Sequence, residues 1–173
     1  MIKLGGSSST EAALFMDLVL SALNKRFLSL DHNSRQLLEK IDERDLYRRP
    51  RDLKREMTPF SCGEYILRSA AMVEKAFGGI TTRLWDDPFE WTLREKLSTK
   101  ESIFNYLDET EATRKRGFRF FASDADLSRE IPAPEKLTSI AEVLLQALSM
   151  AEHFQGRAFA IFQVLSDKPL PRF

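Results

Sequence analysis

One histidine in this chain lies among polar residues at helical spacing, and chemistry is most readily sought there. His153 belongs to residues 138–167, where polar side chains and a glycine recur three or four positions apart. They are Glu142, Gln146, Ser149, His153 and Gly156. On a helix this spacing places the side chains in one ridge beside the apolar stripe. An imidazole in such a ridge suits metal binding or proton transfer.

The elements that would position this ridge are helices. Apolar residues with the helical period run from about Thr10 to Lys40, with an interruption at residues 31–34 that favours a kink or a break. A second helix is predicted to begin at Ser61, with Glu64 completing a capping box, and to stop at Gly78-Gly79 after Phe77.

A third helix is predicted from Ser98 or Thr99 to about Ala122, and the fourth occupies residues 138–167. The sequence shows no convincing alternating strand and no internal repeat. The predicted fold is therefore an all-α four-helix bundle with long loops after helices one, two and three.

Composition limits the classes of function. The chain has 173 residues, predicted to form a flexible tail over residues 1–9 and one domain over residues 10–173. Lys plus Arg and Asp plus Glu both number 26, so nucleic acid and anionic membranes are not expected partners. One cysteine and no signal-peptide pattern favour a cytoplasmic location.

Common catalytic and metal motifs are lacking in the sequence. There is no Gly-rich phosphate loop, no paired-cysteine zinc pattern and no HExxH. His32 is interpreted as an exposed polar residue. Cys62 lies at the start of the second predicted helix, where the helix dipole could make it reactive, but a small buried residue is the preferred interpretation.

Five segments together resemble the DinB-like (DinB/YfiT) superfamily of four-helix bundles over nearly the whole chain. They read LYRRP, SCGEYILRSAAMVEKAF, PFEW, TKESIFNYLDETEATRKRGFRFF and AEHFQGRAFAIFQVLSDKPLP. The resemblance implies a divalent metal, zinc or nickel, held by three histidines: one on the second helix and a His-x-x-x-His pair on the last. Some members of that superfamily are metal-dependent thiol transferases, and many have no known activity.

Carried onto this sequence, the resemblance places Arg68, Ser149 and His153 at the three ligand positions. Arginine is a permanent cation that repels a divalent metal, and serine is a weak neutral ligand. One histidine alone does not hold zinc, which takes about three protein ligands even in catalytic sites. We therefore expect no metal cofactor at this place.

Two uses of the altered site stay open. Arg68, Ser149 and His153 are expected to form a polar cluster in the bundle core, with Glu74 or Glu152 pairing with the arginine. The cluster would be structural, the favoured interpretation, or would bind a small anionic ligand through a bidentate contact with the arginine.

Two further hypotheses belong to other classes of protein. One is a metal-dependent, thiol transferase-like enzyme with a non-standard ligand set, in which His32 or glutamates supply the missing ligands. The other is a homodimeric interaction module that uses the aromatic residues Trp85, Phe89 and Trp91, although core packing is the more common use of such rings.

Overall fold

The computed structural model describes residues 17–50, 60–86 and 97–171, and four long helices make up most of them. The helices are α1 (Leu18–Lys40), α2 (Cys62–Thr82), α3 (Lys100–Phe118) and α4 (Ile140–Leu165). Short 3-10 turns occupy Glu43–Asp45 and Asp124–Ser128, and two short strands, β1 (Glu130–Pro132) and β2 (Leu137–Ser139), form an antiparallel hairpin. The predicted all-α helical bundle is confirmed.

Contacts of α1 show the direction of its neighbours. Arg114 of α3 bonds to Asn24 near the start of α1, whereas Asp108 pairs with Arg35 further along it at 2.9 Å, so α1 and α3 are antiparallel. In the contacts between α1 and α4, residue numbers increase along both helices together. Arg26 of α1 pairs with Glu152 of α4, and the Leu30 carbonyl of α1 accepts from Gln155 of α4. Helices α1 and α4 are therefore parallel.

Helix α2 completes the bundle by packing between α3 and α4. It is parallel to α3, because Glu74 and then Phe77 of α2 contact Tyr106 and then Gly117 of α3. Since consecutive helices α2 and α3 run in the same direction, the end of α2 and the start of α3 lie at opposite ends of the bundle.

The start of α2 follows the predicted capping box. The Glu64 backbone N–H donates to Ser61 Oγ at 3.3 Å, and the Glu64 carboxylate accepts from the Ser61 backbone N–H at 2.7 Å. These reciprocal bonds satisfy backbone donors that the first turn of a helix leaves unpaired. The cap of α3 is Thr99 and that of α4 is Ser139.

The predicted stop of α2 at Gly78-Gly79 is wrong. The helix continues to Thr82 and ends where Arg83 adopts a left-handed conformation with φ 64°. A Cβ atom on Gly79 would lie 2.3 Å from Cε3 of Trp85, so the glycine makes room for the indole ring that folds back over the helix. Glycine here serves side-chain packing and not chain termination.

Two other local predictions are corrected by the structure. Residues 31–34 do not break α1, which is continuous there; Asp31 pairs with Arg35 one turn later at 2.8 Å and Ser34 is buried. The hairpin was not predicted, because strands of three residues are too short to show an alternating pattern.

The first turn of α1 is capped by a residue about one hundred positions away. Asp124 accepts from the backbone N–H groups of Val19 at 2.9 Å and Leu20 at 2.8 Å, whereas the side chain of Asp17, at the N-cap position, makes no capping bond. We expect Asp124→Ala to lower the free energy of unfolding by about 1–2 kcal/mol, as the loss of an N-cap does. Urea denaturation measures the effect.

The matched control is Asp17→Ala, which removes a carboxylate near the same turn without removing a capping bond. We expect this variant to stay within about 0.5 kcal/mol of the parent protein. Equal losses in the two variants would show that the capping bonds of Asp124 do not stabilise α1.

Candidate functional site

The antiparallel packing of α2 and α4 brings two of the predicted site residues to one level of the bundle. Ser69 Oγ donates to the Ala151 carbonyl at 2.8 Å, and Arg157 donates to the Tyr65 hydroxyl at 3.3 Å. These pairs define the register, in which Arg68 lies at the level of His153. The two residues are thus neighbours across the helix pair.

The polar ridge of α4 nevertheless faces solvent. Ser149 and His153 are exposed and Arg68 is half-buried, whereas Ala147 and Ala151 of the same helix are buried. The expectation of an interior cluster of Arg68, Ser149 and His153 is therefore corrected. The apolar stripe of α4 occupies the interior, and the ridge beside it lies at the bundle surface. Whether these residues bind a ligand stays a prediction.

Neither glutamate proposed as a partner of Arg68 pairs with it. Glu74 accepts from the hydroxyl of Tyr106 at 2.5 Å, and Glu152 pairs with Arg26. The Arg68 guanidinium instead stacks on the ring of Phe60, 4.1 Å from its centroid. Stacking uses the face of the guanidinium and leaves the N–H donors in its plane directed sideways.

Aromatic and cationic side chains together form a surface that we call the cation–aromatic patch. Its members are Phe60, Tyr65, Arg68, His153, Phe154 and Arg157. The rings of Tyr65 and Phe154 stack at 6.3 Å, and Arg157 lies over Tyr65 at 5.9 Å. The patch thus places two arginines, Arg68 and Arg157, against aromatic rings across α2 and α4.

A groove of about 570 Å³ is lined by residues of α2, of α4 and of the hairpin. We call it the α2/α4 groove. Met72 and Met150 line it one helical turn beyond Arg68 and His153, and Trp85 lines its far end, where the indole N–H donates to the Pro132 carbonyl at 3.0 Å. The charged residues in its lining are Lys75, Glu135, Lys136 and Glu142.

The bundle core contains a polar layer that the sequence analysis missed. Each helix contributes one small or amide side chain, and all four are buried: Ser34, Ser69, Thr110 and Gln155. Gln155 Nε2 donates to the Leu30 carbonyl at 2.7 Å and to Ser34 Oγ at 2.8 Å. The sequence does contain a signal for this layer, because these uncharged polar residues occupy helix positions that should face the core. The site prediction considered charged residues and histidine instead.

A buried ion pair flanks this layer. The guanidinium of Arg114 contacts both carboxylate oxygens of Glu111, at 2.6 and 2.7 Å. Burial raises the pKa of Glu111, but hydrogen bonds from Arg114 and Lys115 and their charges outweigh this effect and hold the pKa below its usual value. The pair therefore lies in the core in its ionised form.

The structure also describes Cys62 and His32, the two other residues considered for chemistry in the sequence. Cys62 is fully buried, and burial raises the pKa of its thiol to about 12, so the thiol is protonated near neutral pH and not nucleophilic. The preferred interpretation, a small buried residue, is confirmed. His32 is exposed, as predicted.

Residues predicted for the remaining hypotheses are only partly described. Trp85 is half-buried in the α2/α4 groove, and Phe89 and Trp91 lie outside the described residues. Within the described ranges no group of three or more His, Cys, Asp or Glu side chains is arranged to hold a metal ion. In the same ranges no helix is long and apolar enough to cross a membrane.

Comparisons with protein-family models, with curated proteins and with solved structures found no match. The class of protein is therefore defined by the fold and the site alone. It is an all-α four-helix bundle with an open groove and a cation–aromatic patch between two antiparallel helices, and with a polar layer in its core.

Proposed function

We propose that this chain is a DinB-like protein without the metal centre of that superfamily, and that it binds a small amphipathic anion in the α2/α4 groove. The observation that carries the proposal is the groove itself, about 570 Å³, in which apolar side chains lie beside two lysines and two glutamates. The resemblance supports it, because Arg68 and His153, placed by the resemblance at ligand positions, lie at one level of α2 and α4.

The size and lining of the groove suit a small organic ligand. Sites for such ligands measure roughly 300–1,000 Å³ and combine apolar walls with a few polar groups. Met72 and Met150 provide flexible, polarisable walls that adapt to different apolar shapes, and Trp85 provides a flat aromatic surface. The apolar part of the ligand would lie among these three residues.

The candidates for binding the anionic end are Lys75, in the groove lining, and Arg68, about two turns before it on α2. Within the described parts of the chain, no carboxylate lies at ion-pair distance from Lys75 or Arg68. Lys136, by contrast, is paired with Glu142 at 3.6 Å. A carboxylate or phosphate reaching Lys75 or Arg68 would gain charge-assisted hydrogen bonds without displacing an existing ion pair.

The donor set at the superfamily's metal position does not suit a divalent metal. Arg68 is a permanent cation, Ser149 is a weak neutral oxygen ligand, and His153 is the one strong ligand of the three. We therefore derive no step through a metal. Elemental analysis of protein purified without an affinity tag tests this: stoichiometric zinc or nickel that is lost in His153→Ala would favour the metal-dependent transferase hypothesis.

The ligand proposal predicts selective binding of an apolar anion. In a Trp91→Phe protein, Trp85 is the sole tryptophan and reports on the groove. We expect octanoate to change its fluorescence saturably, and octan-1-ol, which has the same chain without the charge, to bind more weakly. Lys75→Gln should weaken octanoate binding roughly tenfold, the value of one charge-assisted hydrogen bond.

The matched control is Lys25→Gln, which removes an equal charge from an exposed position on α1. It should leave octanoate binding unchanged. Equal affinities for octanoate and octan-1-ol would contradict the anion site, and a lack of binding by both would contradict the groove as a ligand site.

The cytoplasmic location and the homodimer are also proposals. The first is supported by the single cysteine, which is buried and unpaired. The second rests on aromatic residues of which only Trp85 is described, and its indole packs on Gly79 and bonds to Pro132. Sedimentation that shows only monomer at micromolar concentration would rule out the homodimer.

A further inference from the structure

A small, partly open cavity lies beside the polar layer, between α1, α2 and α3. Its volume is about 20 Å³, which is room for one water molecule but not for an organic ligand. Its lining is mainly apolar but includes one hydroxyl-bearing residue from each of the three helices, Ser34, Ser69 and Thr110. Asp31, Glu111 and Arg114 are the charged residues of the lining.

One of these hydroxyls is buried without a partner. Thr110 is 5% exposed, and its Oγ1 atom makes no hydrogen bond within the described parts of the chain. A buried polar group left unpaired is costly, which is why nearly all such groups in folded proteins have a partner in the protein or in an ordered water molecule. The unpaired hydroxyl of Thr110 therefore indicates that a small molecule is bound in the cavity.

The other two hydroxyls have capacity left for the same guest. Ser34 Oγ accepts from Gln155, but its own hydrogen has no acceptor among the residues that the structure describes. Ser69 Oγ donates to the Ala151 carbonyl and keeps its lone pairs. These hydroxyl groups thus offer both hydrogen-bond donors and acceptors. A molecule that suits them must itself both donate and accept hydrogen bonds.

We propose that one ordered water molecule is bound in this cavity, as a structural ligand shared by Thr110, Ser34 and Ser69. An anion does not suit the cavity, because Arg114, the one cation in its described lining, is already bound by both carboxylate oxygens of Glu111. A cation does not suit it either, because Asp31 is already paired with Arg35 at 2.8 Å and Glu111 with Arg114 at 2.6 Å. A neutral molecule of water's size fits both the volume and the hydrogen-bonding groups.

The bound water joins three helices at the middle of the bundle. It lies between two apolar clusters, one containing Leu37, Ile66 and Phe162 and the other containing Phe27, Phe77 and Leu144. Hydrogen bonds through it hold α1, α2 and α3 in register where apolar packing alone would leave the helices free to slide. Gln155 connects α4 to the same layer through Ser34.

The substitution Thr110→Val tests the proposal through the sign of its effect. Valine has the shape of threonine and a similar helix propensity but no hydroxyl. If water is bound, the change removes one of its partners, and we expect the melting temperature to fall by about 3 °C. If the cavity is dry, the change removes an unpaired hydroxyl and the melting temperature should rise.

A control variant and a direct observation complete the test. Thr113→Val, one turn later on α3, shows what the loss of known hydrogen bonds costs on the same helix, because Thr113 donates to the Glu109 carbonyl and accepts from Arg116. A high-resolution crystal structure of the parent protein should show water density within hydrogen-bonding distance of Thr110 Oγ1, absent in Thr110→Val. A rise in melting temperature of Thr110→Val relative to the parent protein, or an empty cavity in the crystal, would overturn the proposal.

Discussion

Replacing Gly117 with alanine should lower the free energy of unfolding by about 2 kcal/mol, a typical cost of adding a methyl group to a packed core. A Cβ atom at Gly117 would lie 2.2 Å from Cδ1 of Phe77. The ring of Phe77 is fully buried and packs against Phe27 at 5.3 Å and Phe118 at 5.2 Å, so it has no space to retreat. Helices α2 and α3 would have to separate.

The sign of this effect is informative because helix propensity favours the opposite result. Alanine is better than glycine within a helix by up to about 1 kcal/mol. Gly156 offers the matched comparison: it lies within α4, it is exposed, and a Cβ atom there would meet nothing within 4 Å. Gly156→Ala should therefore raise the free energy of unfolding by about 0.5–1 kcal/mol.

Urea denaturation of both variants beside the parent protein measures the two effects. Opposite signs are expected. A stabilising Gly117→Ala would mean that α2 and α3 do not approach closely at Phe77. Helix propensity alone would make Gly117 a cost of about 1 kcal/mol to α3. Its contact with Phe77 gives that glycine a structural reason.

Features that depend on neighbouring residues could be predicted from the sequence. The four helices follow from apolar periodicity, and the Ser61 capping box follows from two residues three positions apart, because both patterns are encoded within one or two turns. The predicted stop of α2 at Gly78-Gly79 was wrong because it depends on a contact outside that local pattern. Gly79 lies within the helix, where the ring of Trp85 occupies the space of a Cβ atom, and helical periodicity does not encode this contact.

In the candidate site, too, local features could be predicted and features that depend on packing could not. Spacing correctly placed Ser149 and His153 on one ridge of α4, and the resemblance led to Arg68 on the neighbouring helix. The orientation of that ridge could not be predicted, since it depends on which stripe of α4 packs against α2. The polar layer was missed because Ser69 and Gln155 are uncharged and stand among apolar residues, where a periodicity argument expects core side chains.

The largest loss of stability is expected for Arg114→Ala, which should lower the free energy of unfolding by about 3 kcal/mol, as the breaking of a buried ion pair does. The side chain of Arg114 is 5% exposed, and it contacts both carboxylate oxygens of Glu111 and the amide oxygen of Asn24. Without it, Glu111 keeps a carboxylate that is 14% exposed and has lost its main partner. Chemical denaturation at neutral pH measures the loss.

Two further variants separate the ion pair from a general effect of removing an arginine. Arg116→Ala removes an exposed cation from the same helix, where it bonds to Thr113 at 2.9 Å, and should cost less than about 0.5 kcal/mol. The double variant Arg114→Ala with Glu111→Ala should recover part of the loss, because it also removes the carboxylate left without its partner. A double variant no more stable than Arg114→Ala would contradict this reasoning.

Acid should narrow the difference between the parent protein and Arg114→Ala. In the parent, the pKa of Glu111 is lowered in the folded state, so the stabilisation is present above the unfolded value and is lost as the pH falls through the folded value. In the variant, the main charge that opposes the effect of burial is gone, and we expect protonation of Glu111 to relieve the cost of the buried carboxylate. Both effects make the difference in unfolding free energy between the parent protein and the variant smaller at pH 3 than at pH 7. A difference that stays constant over this range would show that Arg114 stabilises the core by packing and not by its charge.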